Sequence, residues 1–141
     1  MALWLSPHFS MEELTATQQQ NLDNTPSSEI GAVLRRTAER MEDVRRLLGD
    51  RVITVSSGYR SEAVNRAVGG SRTSDHRTGY AVDFTCHRYG DPKRICAALA
   101  RSELVFDQLI EEGRWAHLSF SPRARRQILT KAGRGYLEGL R

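Results

Sequence analysis

Ser74-Asp75-His76-Arg77-Thr78-Gly79-Tyr80-Ala81-Val82-Asp83 places a histidine and an aspartate seven positions apart around a glycine. Gly79 permits a sharp reversal of the chain, and Tyr80 to Thr85 then reads as a strand. Alternation along that strand sets Ala81 and Asp83 on one face, with Tyr80, Val82 and Phe84 on the other. An aspartate amid Val82 and Phe84 is costly to bury without a partner, and a cation removes that cost. A lone aspartate here would read as a buried cap or an ion-pair partner. His76, carried back over the strand by the turn at Gly79, makes the pair a candidate metal-ligand set instead.

A third candidate ligand, His117, lies in the apolar run Trp115-Ala116-His117-Leu118-Ser119-Phe120. Gly113-Arg114 fits a two-residue hairpin turn between strands over Val105 to Glu112 and Trp115 to Phe120. That turn pairs Glu112 with Trp115, Ile110 with His117 and Gln108 with Ser119. These six residues then share one face, while Leu109, Ala116, Leu118 and Phe120 form the core face. His117 thus stands among polar neighbours, away from the core. His76, Asp83 and His117 supply two imidazoles and one carboxylate, a three-ligand zinc set with the fourth position open, as hydrolytic zinc requires.

The flanking sequence supplies the scaffold. Ser10-Met11-Glu12-Glu13 is a capping box that starts a short helix. Ile30, Val33, Leu34, Thr37, Ala38, Met41, Val44, Leu47 and Leu48 recur at helical spacing, and Gly49 ends that helix. Val52 to Ser56 is a β-branched strand, Ser61 to Val68 a short helix closed by Gly69-Gly70, and Asp91-Pro92 caps a helix running to about Ser102. The order of elements predicts an α+β fold with helices packed on a small, mainly antiparallel sheet. The segment after Pro122, about residues 122–141, is expected to be a basic tail, helical in part and then frayed.

With 141 residues the chain is expected to form one domain. No apolar run approaches the roughly 18 to 20 residues needed to span a bilayer. Met1-Ala2-Leu3-Trp4-Leu5 is too short for a signal peptide, so synthesis in the cytoplasm is expected. Cys86 and Cys96 do not make a disulfide framework and read as buried, reduced thiols. Cys86 and His87, being adjacent on an extended segment, cannot serve one metal site together. A net charge of +4 favours polyanionic surroundings. Arg123, Arg125 and Arg126 form a basic cluster, but no aromatic stacking platform accompanies them, so a solvated basic face is expected rather than specific nucleic-acid binding.

The pattern Ser-x-His-x-x-Gly-x-Ala-x-Asp at 74–83, preceded by Ser57-Gly58-Tyr59-Arg60 and followed by Trp115-x-His117, resembles the zinc D-alanyl-D-alanine peptidases of the bacterial cell wall. The resemblance spans roughly Ser10 to Phe120, and Leu5-Ser6-Pro7-His8-Phe9-Ser10 looks like the small phage and prophage members. It implies the Hedgehog/DD-peptidase fold, one Zn2+ ion held by His76, Asp83 and His117, and a peptidoglycan stem peptide as substrate. It also implies that Arg60 contacts the substrate or the developing oxyanion, a task suited to a guanidinium. Ser74 is expected to bond within the site, and Gln108 and Trp115, on the face of His117, to line the substrate.

The chain departs from part of the family at the general base. The position three before the last zinc histidine, acidic or histidine in several branches, is Arg114, which cannot accept a proton. Glu112 is the substitute, diagonally across the hairpin from His117 at about 7–8 Å between α-carbons. Glu111 faces away, although a turn one residue longer would exchange the two. The resemblance thus leads to a lytic endopeptidase of phage type, acting at the wall after holin-mediated release, without membrane insertion and as a monomer. A carboxypeptidase trimming terminal D-alanine is the near alternative. A zinc-stabilised wall-binding module without catalysis is the alternative of another class.

Overall fold

The computed structural model describes residues 2–141. Near the N-terminus, β1 (Trp4–Ser6) and β2 (Phe9–Ser10) form a two-stranded antiparallel ribbon that the sequence reading did not anticipate. Its turn is gripped by Glu42, whose carboxylate accepts from the Ser6 hydroxyl and the His8 amide and meets His8 Nδ1, each at 2.7 Å. Burial would raise the Glu42 carboxyl, but these contacts outweigh it and hold it below its ordinary range. Ser10 then caps α1 (Met11–Thr15) through the expected reciprocal capping box with Glu13.

The long amphipathic helix is α2 (Ser28–Leu47), followed by Gly49 at φ 79°. After β3 (Thr54–Ser57) and α3 (Glu62–Ala67) comes a 3₁₀ turn at Asp75–Thr78, then β4 (Ala81–Thr85) and α4 (Pro92–Arg101). Asp91 caps α4 with Pro92 in its first turn, as the Asp-Pro pair predicted. The sheet continues with β5 (Gln108–Glu111) and β6 (Ala116–Ser119) in the anticipated register, Ile110 opposite His117 and Gln108 opposite Ser119.

The core lies on one face of the sheet, where Val82, Phe84, Leu109, Ala116 and Leu118 join Leu34, Ala38 and Met41 of α2 and Ile95 and Leu99 of α4 in one buried cluster. Cys86 and Cys96 are both buried and unbridged. Burial, reinforced by the charge of Glu111, pushes the Cys96 thiol up to about 12.

Two expectations are corrected. The α+β class holds, but the sheet is a large mixed one rather than a small antiparallel one: it has six strands in the order β3-β4-β6-β5-β7-β8, with β5 and β7 parallel and the other neighbours antiparallel. The segment after Pro122 is also not a partly helical tail. It folds into the hairpin β7 (Gln127–Ala132) and β8 (Gly135–Glu138), and β7 pairs with β5 in parallel. The reason is that β5 would otherwise be a bare edge, and Ile128, Leu129 and Thr130 supply a β-forming run to cover it. The turn is Gly133-Arg134, with Gly133 at φ 58°.

The basic cluster is not a free solvated face. Arg126 lies 4.7 Å over the Phe106 ring and donates to the carbonyls of Leu99, Ala100, Ser102 and Leu104, at and beyond the C-terminal end of α4. A cation there satisfies carbonyls that the helix leaves open and complements its dipole.

Candidate metal centre

Asp83 sits directly opposite His117 on the adjoining strand β6 and opposite Ser57 on β3, next to a register shift in that strand. His76 enters from the 3₁₀ turn, which ends at Gly79 in the left-handed conformation, φ 86°. Thr37 of α2 fixes that turn by donating to the Gly79 carbonyl at 2.7 Å. The three side chains converge: one donor atom from each lies within 4.8 Å of the others. His76 Nε2 is 3.2 Å and His117 Nδ1 2.9 Å from the same oxygen, Asp83 Oδ1. Donor atoms at roughly 2.0–2.2 Å from a tetrahedral zinc stand a little over 3 Å apart, so this spacing fits such an ion.

The histidine tautomer also fits. His76 Nδ1 contacts the Gly58 carbonyl at 2.7 Å, a contact that requires the proton on Nδ1 and leaves Nε2 free as a lone-pair donor. The alternatives for Asp83 are the histidine protons themselves and Arg60 Nη2 at 3.5 Å. Burial alone would raise the Asp83 carboxyl, but its contacts with the His117 and His76 imidazoles outweigh burial and hold it well below the usual carboxylate range. Its charged form is thus the stable one, as a metal ligand requires.

Around the three ligands runs a cavity of about 480 Å³ that includes Arg60, Ser74, Gln108, Glu112 and Trp115 in its walls. Glu112 faces into it, and Glu111 turns outward, accepting from the Gly113 amide at 2.5 Å. Burial pushes the Glu112 carboxyl up; His117 opposes this and the Asp83 charge adds to it. Arg60 is held by Ser57 Oγ at 3.2 Å and Asn65 Oδ1 at 3.3 Å. Ser74 caps the 3₁₀ turn, its hydroxyl accepting from the His76 amide at 3.2 Å. Gln108 donates to Gln127 at 2.9 Å, tying the cavity to β7.

A second cavity of about 300 Å³, lined by Gln18, Gln19, Ser56, Tyr59 and Val64 among others, meets the first at Arg60, Asp83 and Trp115. Of the three candidate ligands, Asp83 borders both cavities, and His76 and His117 line the larger one.

Four residues of the larger cavity were not read from the sequence as part of the site: Asp75, Arg123, Arg125 and Tyr136. Asp75 accepts from the Ser119 hydroxyl at 2.6 Å and from Arg123 Nη2 at 3.1 Å, and it lines the larger cavity. Arg123 and Arg125 line it too, as does Tyr136 of β8. Both arginines converge on Asp107, whose side chain is fully buried. An aspartate just before a strand, followed by arginines at the same end of a later strand, is the only sequence trace of this group.

Comparison with known proteins follows the same lines. The chain is 40% identical over 82 residues to the zinc D-Ala-D-Ala carboxypeptidase of Streptomyces albus G, a match covering 57% of this chain and 31% of that relative. The matched part thus amounts to about a third of the relative's length. A family profile described as peptidase M15 matches residues 7–119, which hold His76, Asp83, His117, Arg60 and Glu112 alike. The chain belongs to the peptidase M15 family.

Proposed function

We propose that this protein is a zinc-dependent peptidase that hydrolyses a stem-peptide bond of bacterial peptidoglycan, as an endopeptidase. The observation that carries the reading is the convergence of His76, Asp83 and His117 beside Glu112, at the junction of two cavities. When bound, zinc supplies Lewis acidity toward a carbonyl oxygen and acidifies water at its open position. Glu112, raised above the ordinary glutamate range by burial, takes the proton of the attacking water and returns it to the leaving amine. Arg60, locked by Ser57 and Asn65, presents a guanidinium to the carbonyl oxygen as negative charge develops on it. Trp115 borders both cavities and gives the peptide an apolar wall on each side of the scissile bond.

A second cavity that meets the first at Arg60, Asp83 and Trp115 supports an endopeptidase, since a chain cleaved internally must extend in both directions. Carboxypeptidase action on terminal D-alanine is the second reading, favoured by the 40% identity to a zinc D-Ala-D-Ala carboxypeptidase. Mass spectrometry of purified muropeptides separates the two. An endopeptidase splits cross-linked dimers into monomers, whereas a carboxypeptidase only shortens stems by one alanine, and a chelator abolishes either. Glu112→Gln is expected to retain fold and zinc while hydrolysis drops about 10²–10⁴-fold. If that variant lyses walls as fast as wild type, Glu112 is not the base. If the zinc-loaded wild type cleaves no muropeptide, the domain is a wall-binding module instead.

A further inference from the structure

The profile of the family ends at residue 119, yet the larger cavity is completed by residues beyond it: Arg123, Arg125, Leu129 and Tyr136. The segment that carries the two arginines is built with care. Ala124 and Arg126 both adopt positive φ, 46° and 54°, a conformation unfavourable for residues with a β-carbon. Such strain persists only where surrounding contacts enforce it. Here the enforcing contacts are Arg126, pinned on the carbonyls beyond α4, and the Arg125 amide, which donates to Asp107 at 3.0 Å.

The result is a directed pair of guanidinium groups. Arg125 meets Asp107 side by side, Nε to Oδ1 at 2.9 Å and Nη2 to Oδ2 at 3.0 Å. Arg123 reaches Asp75 through Nη2 and Ser121 through Nε. Among the described residues, Nη1 of neither arginine has a hydrogen-bond partner. The carboxylates also lie deeper than the cations: Asp107 is 0% and Asp75 15% exposed at the side chain, against 53% for Arg123 and 44% for Arg125. Counted by charge the group is neutral, but the surface it turns toward the cavity is cationic.

Resting on the reading of this groove as a peptide site, we propose that the Arg123–Arg125 pair is a subsite for a free carboxylate of the substrate peptide, at the end of the groove bordered by Tyr136. The ligand class is an anionic peptide, one whose residue in that half of the groove carries an ionised carboxyl group. Guanidinium forks suit a planar carboxylate, and the buried Asp107 holds the pair without an entropic cost at binding. Arg123 is the specificity-determining member, because it is the more exposed of the two while the Nε–Nη2 edge of Arg125 is locked bidentate on the buried Asp107.

The test uses two synthetic stem peptides that differ only in bearing free carboxylates or the corresponding carboxamides. kcat/KM is measured with the zinc-loaded full chain, and binding of both peptides to the Glu112→Gln protein is measured by calorimetry. Wild type is expected to favour the acid peptide by about tenfold or more, the range of a charge-assisted hydrogen bond. Arg123→Gln is expected to lose that preference, and Arg123→Lys to keep part of it. Equal affinity of the wild-type site for acid and amide overturns the proposal, and so does a preference that survives Arg123→Gln. The wild-type comparison needs no variant, so a misfolded Arg123→Gln still leaves the proposal open to refutation. Selective binding without cleavage of either peptide supports the subsite and sinks the peptidase reading. Cleavage without selectivity does the reverse.

Discussion

Gly58 contributes no side chain to the metal centre, yet two contacts depend on its having none. Its carbonyl receives the His76 Nδ1 proton, while a β-carbon at this position would stand 2.3 Å from the Leu14 carbonyl oxygen. Gly58→Ala must therefore push the turn away from the end of α1 and with it the carbonyl that orients His76. Because disturbing an outer partner of a metal histidine typically costs about 10–100-fold in affinity, zinc affinity should fall by that order. Competition against a chelating dye measures it. His76, Asp83 and His117 were legible in the sequence because their placement follows from a glycine reversal, strand alternation and a two-residue hairpin, all local rules. Asp75 was not, since its partners Ser119 and Arg123 are 44 and 48 positions away. Nothing near Asp75 announces that a hydroxyl and a guanidinium will arrive there.

At the scale of elements, the capping box, the α2 stripe and the β5–β6 register could all be read in advance, whereas β7 and β8 could not. The missed hairpin had a signal: Gly133-Arg134 repeats the Gly113-Arg114 dipeptide from which the first hairpin was read. Its flanks disguised it, because Arg123, Arg125 and Arg126 look like solvated charge until their partners on α4 and before β5 are known. The parallel pairing of β7 with β5 is likewise fixed by distant residues rather than by a turn. Arg126 anchors this hairpin, so Arg126→Ala should destabilise the protein by about 1–2 kcal/mol, from lost charged hydrogen bonds and helix-dipole contact. Chemical denaturation reads that directly. Proteolysis at residues 127–138 should rise in the same variant if the anchor fails locally.

For the molecule as a whole, acid sensitivity has an identifiable source. Hydrogen bonds from Arg125 lower the Asp107 carboxyl from its ordinary 3.8, and burial opposes them. A group depressed in the folded state stabilises above its unfolded value, and that contribution disappears as pH falls through the folded value. Stability should therefore decline below about pH 4. In Asp107→Asn the acid limb should be shallower and the neutral-pH stability lower, as thermal melts across pH 2–7 would reveal. The sheet order carries one more implication, for the chain during synthesis. Strand β5 has a neighbour on one side only until residues 127–132 exist to lie along the other. During that interval its free amides and carbonyls form a sticky border, open to any extended segment nearby, including the same strand of a sister molecule. A version cut after residue 121 should accordingly self-associate in light scattering, and the pairing that completes the groove doubles as a guard against aggregation.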